Sequence, residues 1–210
     1  MLIEQNGIEI LNQIDSVSPT PGGGSVSALV GALGVCLVRM YGHLTVNKKK
    51  FLALDETIKQ QFIHNFEEIT KQKEALTKAI DKDCDAYDAV MNAYRLPKTN
   101  ETEIQARNKA IKQATYIAIE SPYNIMSLSL EAIRLCKDLV EYGNINAISD
   151  LACGVIFLDA AIQGAGLNVH INLSSLEDNE RNEWFTKMTS ILNESHELKE
   201  IIVNQIKSVL

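Results

Sequence analysis

The stretch "PTPGGGSVSALVGALGVCLVRMYGHLTVNKKKF", Pro19 to Phe51, decides how the rest of the chain is read. Three glycines follow two prolines, a long apolar run follows the glycines, and three lysines close it. A Walker-type loop needs Gly-x-x-x-x-Gly-Lys-Ser/Thr, and no such pattern starts at Gly22. A dinucleotide fingerprint needs Gly-x-Gly-x-x-Gly after a buried strand, but Ser27 stands in the third glycine position and "DSVSPTP" is no strand. A bilayer span needs about 20 mostly apolar residues, whereas the uncharged run from Val26 to Val38 ends at Arg39. A helix that is apolar on all sides and too short to span belongs in a protein core. Its small residues recur at helical spacing: Ser27 with Gly31, Ala28 with Ala32, then Gly34. Such stripes admit a second backbone at close range.

The glycines leave backbone N–H groups open at the positive end of this helix, a place for an anion or a polar ring edge. Lys48, Lys49 and Lys50 follow its far end. At 1.5 Å per residue the two ends lie about 30 Å apart. One chain therefore cannot aim both at one small ligand, whereas a symmetric dimer could set the glycine loop of one subunit beside the lysines of the other.

Outward from this helix the pattern stays helical. Met1 to Asp15 reads as a short amphipathic helix, and Ser16 to Gly24 as a loop, with Ser25 as the N-cap of a helix to about Val46. Asp55 to Arg95 reads as one long helix or two stacked ones. Glu101 to Glu120 is another, stopped at Ser121-Pro122, and Pro122 opens the next, to Tyr142. Asn146 is expected to cap a helix to about Gly166. "NVHINL" (Asn168 to Leu173) reads as an extended connector, and Ser175 with Asp178 as a capping box for the last helix. The expectation is an all-α, single-domain bundle of six or seven helices over 1–210, dimerising through its small-residue helices.

Composition agrees. Aromatics are only 6%, and 27 acidic residues against 20 basic leave a net charge of -7, which speaks against nucleic acid as a partner. Cys36, Cys84, Cys136 and Cys153 are scattered and read as small buried hydrophobes in a reducing compartment. No zinc spacing occurs among the histidines, so no metal is expected. The N-terminus has no basic region of a signal peptide, so the expected location is cytoplasmic. A second small-residue helix, "NAISDLACGVIFLDAAIQGAG", carries Asp150 in its first turn and Asp159 on a stripe expected to be solvated. On "DKDCDAYDAVMNAYRLPK", Asp83, Tyr87, Val90 and Tyr94 share one helix face. A carboxylate on an aromatic and apolar stripe suits acid–base work.

"PTPGGGSVSALVGALG", "NKKKF", "DKDCDAYDAVMNAYRLPK", "NINAISD" and "NVHINL", in this order from about Leu11 to Ser175, resemble the cyclodeaminase/cyclohydrolase family of folate enzymes. The resemblance implies an all-helical homodimer with its folate site in a cleft between subunits. It implies conversion of 5-formiminotetrahydrofolate to 5,10-methenyltetrahydrofolate with release of ammonia, some relatives instead hydrolysing the methenyl bridge. The single-activity form leaves a formiminotransferase as a separate partner. No cofactor beyond the folate substrate is expected. The candidate catalytic residues are Asp83, as general acid–base, and Asp150, which the positive helix end suits to binding a cationic group. The candidate substrate-binding residues are Pro21, Gly22, Gly23, Gly24, Ser25, Lys48, Lys49, Lys50, Tyr87, Arg95 and Asn146. The three lysines are expected to meet the folate's anionic glutamate tail.

Overall fold

The computed structural model describes residues 2–210. Among them there are seven α-helices and no strand: α1 Gly7–Ile14, α2 Gly23–Val46, α3 Lys49–Leu52, α4 Glu56–Arg95, α5 Glu101–Cys136, α6 Ile148–Leu173 and α7 Asp178–Lys207. Short 3-10 turns cover Leu2–Glu4, Lys137–Leu139 and Ile145–Ala147. The five long helices run alternately up and down around one apolar core, so α2 lies antiparallel to both α4 and α6.

The seam between α2 and α6 is built from small residues. A Cβ on Gly34 would lie 2.8 Å from the Gly154 carbonyl oxygen, and one on Gly154 equally close to that of Gly34. Gly31 faces Ala161, and Gly164 faces Ser27. The residues that the sequence sets at small-residue spacing thus bring two backbones almost into contact. By length and composition α2 and the stretch Ile145–Leu173 could each cross a bilayer, so the length of the uncharged run alone does not decide the matter. What separates them from ordinary spans is position: half of each apolar window is buried inside the bundle.

Several element boundaries differ from the expected ones. α2 begins at Gly23 with Gly22 as its N-cap, so Ser25 lies inside the first turn rather than capping it. α4 is one continuous helix. The first helix is α1 alone, capped by an Asn6–Glu9 capping box; Met1 lies outside the described residues. Asn144, not Asn146, caps the turn before α6, its side chain accepting from the Asn146 N–H. Ser175 forms no capping box with Asp178, because α7 starts after Glu177. Asp159 is buried rather than solvated, accepting from the Ser195 hydroxyl at 2.7 Å and from Gln163 Nε2 at 2.7 Å. Of the cysteines only Cys136 is fully buried; Cys36 and Cys153 are exposed.

Two further corrections share one cause. α5 runs straight through Ser121-Pro122, and α6 continues through Asn168–Leu173 as helix instead of leaving as an extended connector. A proline inside a helix has no N–H for the carbonyl four residues back, and here that carbonyl belongs to Ala118. Asn172, in the last turn of α6, donates its Nδ2 to this oxygen at 2.7 Å. The missing helical bond is replaced from the neighbouring helix, so Pro122 does not end α5. Replacing Asn172 by Leu is therefore expected to cost about 1–3 kcal/mol through the unpaired carbonyl. Adding Pro122→Ala, which restores the helical donor, should recover most of that loss. A urea double-mutant cycle reads the coupling, and strict additivity would disprove the arrangement.

Candidate active site

The glycine loop opens on a cavity of about 340 Å³, lined by Gly22, Gly23 and Gly24, by Asp83, Tyr87 and Val90 of α4, by Pro122 of α5 and by Asn168 and Asn172 of α6. Its volume falls at the lower end of small-molecule sites. A larger cavity of about 480 Å³ beside the Lys137–Tyr142 turn holds none of the residues singled out from the sequence.

Asp83 forms the floor of the glycine cavity. The Ser25 backbone N–H donates to its carboxylate, and the Ser121 hydroxyl donates to Oδ1 at 3.2 Å. Gly24 makes this approach possible, since a methyl group there would overlap the carboxylate. Burial pushes the Asp83 carboxyl up from its ordinary value, while the bonds from Ser121 and Ser25 pull it down; burial prevails. The result is a carboxyl of weakened acidity at the mouth of a helix whose first N–H groups are open, able to take up and return a proton.

The other candidates divide between the two ends of the bundle. Gly22, Gly23, Gly24 and Tyr87 line the Asp83 cavity, while Pro21 and Ser25 are buried behind it. Ser25 bonds the Gly22 carbonyl oxygen at 3.1 Å. Lys48, Lys49, Lys50 and Asn146 meet at the far end, around a second cavity of about 370 Å³ shared with Thr45 and Asn144. Asp150, in the first turn of α6, belongs to that end. Along α6 it lies about 27 Å from Asn168. Arg95 is exposed at the end of α4 and, among the described residues, reaches only Asn92, at 3.4 Å. Tyr94 also leaves the site: it lines a different cavity, under the Arg107 guanidinium. His170 is exposed, its ring 5.8 Å from that of Phe185.

Asn168 and Asn172 were not among the residues expected here. Their spacing of four, continuous with the small-residue period of α6, marks one helix face, but the polar "NVHINL" stretch reads locally as a connector. Ser121, hidden by the apparent helix break at Pro122, was missed for the same reason.

The family described as formiminotransferase-cyclodeaminase matches residues 8–191. A methenyltetrahydrofolate cyclohydrolase from Methylorubrum extorquens is 36% identical over 199 residues, covering 94% of both chains. The rat formimidoyltransferase-cyclodeaminase is 29% identical over 199 residues, covering 94% of this chain but 36% of the longer relative. Among solved structures, a formiminotetrahydrofolate cyclodeaminase from Thermotoga maritima superposes with a TM-score of 0.79 at 25% identity, covering 100% of this chain and 98% of that one.

The raised Asp83 carboxyl carries a pH signature. Native Asp83 keeps its proton to a higher pH than the unfolded chain does, so between the two values the native state binds more protons. Folding stability then falls as pH rises through a window that opens at the ordinary value of 3.8. Asp83→Asn removes this loss. The melting temperature of the variant relative to the natural protein should therefore climb as pH is raised from about 4 to about 8. A difference that shrinks over that range would contradict the desolvation argument.

Proposed function

The chain belongs to the formiminotransferase-cyclodeaminase family of folate enzymes, and from that premise we propose that it closes the one-carbon bridge of 5-formiminotetrahydrofolate, releasing ammonia and yielding 5,10-methenyltetrahydrofolate. The observation that carries this reading is the Asp83 carboxyl of weakened acidity, set in the cavity at the start of α2. N10 attacks the carbon of the protonated, cationic formimino group, and the N10 proton passes to the Asp83 carboxylate. The tetrahedral carbon then expels its amine, which takes the proton from Asp83 and leaves as ammonia. One group acts first as base and then as acid, a task that suits a carboxyl whose environment brings its titration nearer to neutrality. Tyr87 walls the cavity beside it.

A second reading is favoured by the Methylorubrum relative, which matches over nearly its whole length. In it, water attacks the methenyl carbon and Asp83 takes one of its protons; N5 receives that proton as the bridge opens, and the remaining hydroxyl proton passes to solvent as the carbon becomes the N10-formyl carbonyl. Both reactions pass through a carbon bearing N5, N10 and one further heteroatom, so the same cavity serves either.

The lysine end enters through a homodimer. The outer sides of α2 and α6 expose Leu33, Met40 and Leu44 together with Ile156, Phe157 and Leu167, the last at 71%. Exposed apolar side chains gathered on two neighbouring helices suit an association face. Pairing two copies across it would bring Lys48, Lys49 and Lys50 of the partner subunit toward the glycine cavity, where their charge suits the glutamate tail. Asn146 and Asp150 of the partner subunit would arrive with them.

Two experiments test these proposals. Purified protein given 5-formiminotetrahydrofolate should generate methenyl absorbance and ammonia together, and Asp83→Asn should lower kcat by about 10²–10⁴-fold. Loss of methenyl absorbance from 5,10-methenyltetrahydrofolate without action on the formimino compound would select the second reading, and inertness toward both would sink the function. Independently, Leu33→Glu combined with Phe157→Glu should turn a sedimenting dimer into a folded monomer of low activity. A natural protein that sediments as a monomer at micromolar concentration would remove the dimer.

A further inference from the structure

We infer that Asn168 and Asn172 read the donor edge of the pterin ring and so set the orientation in which the one-carbon bridge meets Asp83; this rests on the folate reading above. The argument begins with what their amides cannot do. Asn168 Nδ2 donates to the Gly164 carbonyl at 2.9 Å, and Asn172 Nδ2 donates to the Ala118 carbonyl at 2.7 Å. A carbonyl only accepts, so each side chain must turn its nitrogen toward that oxygen. This leaves each Oδ1 without a partner and each nitrogen with one N–H to spare, and both side chains line the cavity. Among the described residues no hydrogen bond is made to either Oδ1. The pinning is unusually firm for Asn172, because the carbonyl it serves is the one that Pro122 deprives of its helical donor.

Beside these two acceptors stand donors. A Cβ on Gly23 would sit 3.0 Å from Asn168 Nδ2, so the start of α2 and Asn168 are direct neighbours. Gly22 offers no side-chain cap, and the Ser25 N–H is spent on Asp83, which leaves the N–H groups of Gly23 and Gly24 open. Along the wall the cavity thus presents donors, then an acceptor, then a second acceptor one helical turn further on. The 2-amino-4-oxo edge of a pterin presents the complement: the O4 acceptor, the N3–H donor and the 2-amino donor. The structure assigns O4 to the glycine N–H groups, N3–H to Asn168 Oδ1 and the 2-amino group to Asn172 Oδ1. Neither asparagine transfers a proton; both are positioning residues that decide which ring system enters.

The test compares binding of tetrahydrofolate with that of its 2-desamino-2-methyl analogue by isothermal titration. A site built to accept from an amino group rejects the analogue that lacks it, so the natural protein should prefer tetrahydrofolate by about tenfold or more. Asn172→Leu, made in the Pro122→Ala background so that Ala118 keeps a donor, should bring the two ligands close to parity. Asn168→Leu, whose lost amide bond lies within α6 alone, should weaken both ligands alike by about tenfold, since both retain N3–H. A merely structural role would weaken binding without moving the ratio, so an unchanged preference in the Asn172 variant overturns the assignment. Absence of any preference in the natural protein overturns it as well, while turnover of folate would still stand. Failure of the natural protein to bind either compound would instead overturn the folate reading itself, and this inference with it.

Discussion

The contact between Gly34 and Gly154 governs the rest of the molecule. With no side chain on either residue, the backbones of α2 and α6 meet at a separation that any Cβ would prevent. This contact sets the antiparallel pair at the centre of the bundle and lets α4, α5 and α7 close round it with a continuous apolar core. It also fixes which helix ends become neighbours. The start of α2 lies beside the last turns of α6, and the end of α2 lies beside the first turn of α6. Both clusters of polar residues follow from that pairing.

At the glycine end, two local irregularities are made compatible by groups from other helices. α2 starts with no side-chain cap of its own, and Asp83 from α4 accepts the Ser25 N–H in its place. α5 carries a proline mid-helix, and Asn172 from α6 takes up the carbonyl that it frees. Each repair places a polar side chain against the same cavity. The helix terminus and the hydrogen bonds favour an ionised Asp83 while burial disfavours it, and burial is the larger effect. That balance separates a group able to exchange a proton from a carboxylate that only caps a helix.

The lysine end is remote within one chain, and no rearrangement of packed helices would bridge some 30 Å. The exposed apolar side chains along α2 and α6 suggest the remedy that the proposed dimer uses. A two-fold axis across antiparallel helices brings opposite ends of the two copies together. Cys36 and Cys153, expected in the core, lie exposed on these same two helices. Their apolar character belongs to the outer face rather than to the interior.

Much was legible in the sequence because it depends on neighbours a few residues apart. Helical periodicity, the glycine triplet before an apolar run, the small-residue stripes and the Asp83–Tyr87–Val90 face are all local patterns, and each appears in the structure as an element or a lining. The resemblance to a folate family rested on ordered motifs of the same local kind. What sequence reading could not decide was every feature whose cause lies far along the chain. Pro122 reads as a helix stop until Asn172 supplies the missing bond from 50 residues away. "NVHINL" reads as a connector until α5 and the glycine loop pack against it. Asp159 reads as solvated until Ser195 of α7 covers it. Local propensity is a small energy per residue, and a single buried hydrogen bond or a packed face outweighs it; only the tertiary structure says where those bonds and faces are.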